Sequence, residues 1–216
     1  MGQKIHPYLF RLGSQFTWKS RWFATGSEYR RLLMQDIELR KFLEEKLRPA
    51  GLVDVDIERS IKQILIRIYV SRPGVVIGRG GVGIMELRKQ IESLLKVTPK
   101  DTSLHIELSV EEVKVPEFSS KLMALRIADQ IARRIPHQRV IRKVMDQVMA
   151  SGALGIKVVI SGRIRGAEIG RTEMFSNGSV PRQTIRADID FTRYPILTQS
   201  GYVGIKVWIH KPAPTN

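Results

Sequence analysis

The sequence of 216 residues contains no cysteine. That excludes a disulfide framework, a thiolate nucleophile, Cys-ligated zinc or iron–sulfur clusters and thiol redox chemistry, and an intracellular protein is expected. Long apolar runs are missing too. None approaches the length of a membrane span, and even Ile64-Leu65-Ile66 is broken by Arg67. The opening Met1-Gly2-Gln3-Lys4-Ile5-His6 lacks the apolar stretch of a leader, and His6 stands where a myristoylation signal needs Ser or Thr, so neither targeting segment nor membrane anchor is expected. The four histidines, His6, His105, His137 and His210, show no HxxxH or HExxH spacing, and no metal or other cofactor is expected. Acid is scarce: 36 Lys and Arg face 21 Asp and Glu, a net charge of +15, and no acid precedes Glu28. What is present is enough apolar side chain, 43%, to fill one or two cores, which rules out a disordered tail. The uncompensated positive charge points to a polyanionic partner, of which nucleic acid is the commonest.

Patterning predicts two domains behind an arm. Residues 1–27 interleave Phe10, Phe16, Trp18, Trp22 and Phe23 with Lys4, Arg11, Lys19 and Arg21, a mixture suited either to stacking on bases beside phosphates or to packing on its own domain. Residues 28–115 read as a helix with Leu32, Leu39, Leu43 and Leu47 on its period, a hairpin of Val53/Val55/Ile57 and Ile64/Ile66/Ile68/Val70, a glycine loop, a helix ending at Pro99, and a strand from Leu104 to Val110. Residues 116–216 read as two helices, about 119–135 and 138–150, on a largely antiparallel sheet with strands at Ile156–Ser161, Thr184–Phe191 and Val203–Ile209 and a fourth within Ile164–Phe175. The second half is the more one-sidedly basic, 16 bases to 7 acids after Pro116 against 20 to 14 up to it.

Two segments carry chemistry. Val76-Ile77-Gly78-Arg79-Gly80-Gly81 sets a G-x-x-G loop before a helix start, where unpaired N–H groups and the helix dipole favour an anion and glycines admit a phosphate backbone closely. Gly78, Gly80 and Gly83 also satisfy the dinucleotide-binding spacing, but the approach to them is cut short by Pro73-Gly74. A glycine turn without ligand is the third reading. In the second helix of the C-terminal half, Arg139, Arg142 and Lys143 fall on one face and Ile141, Val144, Met145 and Val148 on the other. Arg133 and Arg134 add two cations to a stretch without acid from Gln130 to Lys143, and Asp146 shares the exposed face. Five cations without internal counter-ions suit an external phosphate track, and arginine's planar fork suits phosphate well. Asp188 and Asp190, alternating with Ile189 beside Arg186, read as a salt-bridging strand surface rather than a catalytic pair. No constellation supports an enzyme.

Several blocks resemble one family, the universal third protein of the small ribosomal subunit, in its bacterial or organellar type. These are Gly2-Gln3-Lys4-Ile5-His6-Pro7 with Arg11-Leu12-Gly13 and Trp22-Phe23, then Arg72-Pro73-Gly74-Val75-Val76-Ile77-Gly78. In the C-terminal half they are Gly155-Ile156-Lys157-Val158, Ser161-Gly162-Arg163, Gly166-Ala167-Glu168-Ile169, Arg171-Thr172-Glu173, Ile185-Arg186-Ala187-Asp188-Ile189-Asp190 and Gly204-Ile205-Lys206-Val207-Trp208-Ile209. The resemblance implies an α+β protein: a type II KH domain, then a small two-layer α/β domain. It also implies a structural, non-enzymatic constituent of the small subunit that binds rRNA in the head, borders the channel where mRNA enters, and touches neighbours of the tenth and fourteenth small-subunit protein families. The family's basic channel residues fall at Gln138, Arg139 and Arg142, with Gln138 in place of an arginine, and Gly80 stands where the family loop often carries another base. The candidate RNA-binding set is Lys4, Arg11, Gly78, Arg79, Gly80, Gly81, Arg133, Arg134, Arg139, Arg142, Lys143, Arg163, Arg165 and Arg171. A stand-alone KH-type regulator binding single-stranded RNA is the alternative function.

Overall fold

The computed structural model describes residues 4–95 and 105–212. The chain forms two compact units, one running from Trp18 to Lys114 and the other combining Val115 onward with the residues up to Thr17. The segment expected as a single arm is thus shared. Its first helix, α1 (Pro7–Phe10), belongs to the C-terminal unit, and β1 (Ser20–Arg21) opens the other.

In the unit from Trp18, β1 is followed by α2 (Gly26–Lys46), β2 (Leu52–Arg59), β3 (Gln63–Val70), α3 (Pro73–Ile77), α4 (Val82–Leu94) and β4 (His105–Glu112). The expected helix stop at Pro99 and the strand start at Leu104 lie outside the described residues. α2 ends where Pro49 enters a short 3-10 turn and Gly51 takes φ 72°. β2 and β3 alternate buried and open positions and pair antiparallel, with Ile57 opposite Ile66 and Val55 opposite Ile68. β4 lies parallel to β3. A parallel neighbour needs a crossover, which α3, the glycine loop and α4 supply. Leu39 and Leu43 of α2, Ile91 of α4, Ile57, Ile66 and Ile68 of the hairpin and Ile106 of β4 close the core. Each such side chain contributes about 1.5–3 kcal/mol by leaving water. One helix, a hairpin, two helices and a strand parallel to the hairpin's second strand make the expected type II KH arrangement.

The C-terminal unit carries α5 (Ser120–Ala132), α6 (His137–Ala150), β5 (Gly155–Gly162), β6 (Arg171–Gly178), β7 (Ile189–Thr198) and β8 (Gly201–His210). The strands pair antiparallel in the order β6-β5-β8-β7, and both helices pack on one face of the sheet. The core is Val158, Ile160, Ile205 and Val207 from the strands against Ile127, Ile141, Val144 and Val148 from the helices. The strand expected at Thr184–Phe191 begins only at Ile189 and runs on to Thr198. Two causes are visible. The carbonyls of Arg182, Thr184 and Ala187 are bonded to the guanidinium of Arg11 instead of a ladder partner. The strand also runs through Pro195, which lacks a ladder donor, because β7 is an edge. The expected strand at Ile164–Phe175 likewise starts at Arg171, after a 3-10 turn over Ile164–Gly166. No helix among the described residues is long and apolar enough to cross a membrane.

Candidate nucleic-acid interface

In the KH unit the glycine loop sits between α3 and α4. Gly78 takes φ 69°, ψ 177°, which a residue with a β-carbon adopts only at a steric cost. Gly80 (φ 63°) and Gly81 (φ 78°) are also left-handed, and at Gly83 a β-carbon would run into the carbonyl oxygen of Val76. The sharp reversal gives the Gly81 N–H to the Gly78 carbonyl and the Val82 N–H to that of Arg79, and no side chain caps the N–H groups of the α4 first turn beyond them. Gly78, Arg79 and Gly80 are exposed and Gly81 is half-buried. Val75 and Val82, flanking the loop, are exposed apolar side chains. Backbone donors, one guanidinium and an apolar margin together suit a ribose-phosphate backbone with its bases turned aside. The approach is the helix α3 and not a strand, so the dinucleotide-binding reading loses its structural context.

α6 presents the second surface. Val140, Ile141, Val144, Met145 and Val148 are buried, whereas Gln138, Arg139, Arg142, Lys143 and Asp146 are exposed. Among the described residues no carboxylate forms an ion pair with Arg139, Arg142 or Lys143. These three, with Gln138, Asp146 and Arg165, line an open concavity of about 690 Å³. The helix is seated by His137, 3% exposed, whose Nε2 lies 2.7 Å from Glu173 Oε2 on β6. That bond, followed by the charges of His137 and Arg171, holds the Glu173 carboxyl below its ordinary range despite its burial.

The remaining expected residues separate. Arg133 is exposed next to Arg134, which donates from Nη2 to Gln199 Oε1 at 2.6 Å. Exposed Arg163 donates from Nε to the Ala167 carbonyl, Arg165 is exposed with φ 57°, and Arg171 pairs with Glu173 at 2.8 Å. Arg11 is a correction. It is 0% exposed and donates to the carbonyls of Pro7, Arg182, Thr184 and Ala187, tying α1 to the loop before β7. Burial lowers its pKa, against the opposing charge of Asp188, and with four of its five N–H donors spent on these carbonyls and no surface exposed it does not face a phosphate. The stacking role considered for the first 27 residues is narrowed in the same way: Tyr8 stacks on Phe16, Trp22 Nε1 donates to Asp36 at 2.8 Å, and Lys19 and Arg21 pair with acids on β2. Asp190 accepts from the Ser120 N–H at the start of α5 at 2.8 Å, which replaces the salt-bridged strand face expected with Asp188 and Arg186.

A further basic surface escaped the sequence reading. On the sheet face away from α5 and α6, Arg193 of β7 stands directly opposite Lys206 of β8, a like-charge cross-strand pair. Lys157 of β5 faces Trp208, over whose ring the Arg182 guanidinium lies at 5.8 Å. Burial, then the charges of Arg182 and Lys4, push the Lys157 ammonium below its ordinary value, which places Lys4 in this cluster. Alternate positions 157, 193 and 206 carried the signal, visible only once strand register is known.

The fold and these surfaces define a KH-domain nucleic-acid-binding protein with a basic second α/β unit. The KH domain family matches residues 38–118, and the family described as ribosomal protein S3, C-terminal domain, matches residues 127–209. Small ribosomal subunit protein uS3 of Persephonella marina is 46% identical over 98% of this chain and 90% of its own length. The proteins of that name from Caldicellulosiruptor saccharolyticus and Caldanaerobacter subterraneus are each 43% identical over 98% of this chain and 92% of their own. The chain belongs to the uS3 family of small ribosomal subunit proteins.

Proposed function

We propose that this chain is a structural, non-enzymatic constituent of the small ribosomal subunit that binds its rRNA in the head, and that the α6 face borders the channel where mRNA enters. Membership of the uS3 family carries the ribosomal and RNA-binding role. The observation that carries the channel assignment is the outward set Arg139, Arg142 and Lys143, free of acid partners among the described residues, on a helix whose opposite face is buried. A moving single strand is held there through phosphates without sequence preference, because cations on a rigid helix neutralise whatever backbone passes. Gln138 keeps a hydrogen-bonding side chain in this row without a charge. The glycine loop and the outer sheet face with Lys4, Lys157, Arg182, Arg193 and Lys206 serve rRNA, and the neighbours are small-subunit proteins of the tenth and fourteenth families.

The test is translation of hairpin-bearing and unstructured mRNA by ribosomes carrying Arg139→Ala, Arg142→Ala and Lys143→Ala together. A selective loss on the hairpin message is expected. Equal translation of both messages at the wild-type level would remove the α6 face from the channel.

A further inference from the structure

The described residues of the C-terminal unit enclose a second concavity, of about 510 Å³. Its floor is apolar, with Ile160, Ile164 and Val203 belonging to the buried core. Its rim carries Arg134, Arg163 and Arg165, and no Asp or Glu lines it. Thr198, Gln199 and Ser200, at the turn from β7 to β8, add polar groups on the remaining side. The Gln199 amide oxygen is taken by Arg134, which leaves its nitrogen as a donor. A cavity of this size accepts a small organic ligand. An apolar floor under three cations selects one with a flat body and a negative charge.

Two further observations converge on it. Arg134 (φ 61°) and Arg165 (φ 57°) are the non-glycine residues of positive φ among the described residues, and both stand on this rim. A β-carbon disfavours that conformation, and strain of this kind collects where it aims a functional group. Gly166 (φ 78°) keeps the wall open, since a β-carbon there would lie 3.1 Å from Ser200 Oγ. The cavity also adjoins the concavity of the α6 face, since Pro136 and Arg165 line both. A polymer whose phosphates cross Arg139 and Arg142 therefore brings its next unit to this mouth.

We propose that this cavity receives one unpaired nucleotide of the RNA crossing α6, its base on the Ile160/Ile164/Val203 floor and its phosphate on the Arg134/Arg163/Arg165 rim. The inference rests on the assignment of the α6 face to RNA. The site converts a sequence-tolerant phosphate track into one that distinguishes single strands from duplex, since a paired base enters only after its pairing and stacking are broken, whereas an unpaired base enters without that cost. Its place beside the cationic track favours a nucleotide over the acidic end of a peptide.

The test measures binding of the full chain to a short fluorescent single-stranded RNA and to a blunt RNA duplex of equal phosphate count. Ser200→Trp and Ala132→Phe fill the cavity without changing charge, and Arg134→Gly relieves the left-handed strain while removing one rim cation. With Tm held, the two filling variants are expected to weaken single-strand binding about tenfold and leave duplex binding alone. Arg134→Gly is expected to weaken single-strand binding without lowering Tm. The triple alanine variant of Arg139, Arg142 and Lys143 should weaken both. Filling variants that bind single strands normally, or lose both forms equally, would overturn the cavity while leaving the α6 face standing if the triple variant still fails. An inert triple variant would overturn the α6 assignment and the path proposed here. Displacement of a cavity-bound fluorescent acidic peptide, but no effect of filling on RNA, would assign the cavity to protein and overturn it as well.

Discussion

At Arg11 a guanidinium is taken out of water and surrounded by four backbone carbonyls, while at Arg139 the same group stands in solvent on a helix. The first is structural and the second is free to meet a partner. Replacing Arg11 by Met leaves buried carbonyls unsatisfied and Asp188, whose Oδ1 is buried without a hydrogen bond, uncompensated. A loss of about 3–5 kcal/mol in denaturant unfolding is expected. RNA affinity of the folded fraction should not change, and a normal stability with weakened RNA binding would contradict this placement. Glu173 contributes differently. Its folded pKa is depressed by the His137 bond, so its stabilisation is complete above the ordinary carboxylate range and disappears as pH falls through the depressed value. Thermal melts of Glu173→Gln against wild type should therefore differ near neutral pH and converge in strong acid. A constant offset across that range would show that the carboxylate charge does not seat α6.

Among the elements, α6 and the glycine loop do separable work. On the proposed role each of Arg139, Arg142 and Lys143 meets one phosphate, and removing all three should shrink the log–log salt slope of single-strand RNA binding by about 2. Far-ultraviolet circular dichroism should be unchanged, since the buried face of α6 is untouched. An unaltered slope would mean that the three cations face only solvent. At the loop, Arg79→Asp with Gly80→Asp places two acids at the start of α4, and Asp tolerates the left-handed φ of 63° at position 80. Single-strand affinity of the full chain is expected to fall about tenfold by filter binding. Undiminished affinity would favour the ligand-free turn.

For the whole molecule, the two-domain α+β plan was legible because its main elements have clean periods: α2 in steps of three and four, β2 and β3 in alternation, α6 with its cations and its apolar residues on opposite sides. What escaped was set by tertiary bonds that no local pattern announces. Arg11 looked like an arm cation until three of its carbonyl partners, more than 170 positions away in sequence, were in place. Asp36 gave no sign that Arg59 and Trp22 would hold it inside the KH unit. The Arg193–Lys206 pair needed the register of β7 on β8, and the cavity beneath Arg134 and Arg165 needed the turns that put both residues at positive φ. What unites these parts is charge displayed outward on buried scaffolds, a surface complete only against RNA. The most direct measurement is the salt dependence of the full chain's affinity for small-subunit rRNA. If about 6 phosphates are neutralised, log affinity should fall against log salt with a slope of about −4 to −5. A slope near zero, with affinity indifferent to salt, would contradict the account.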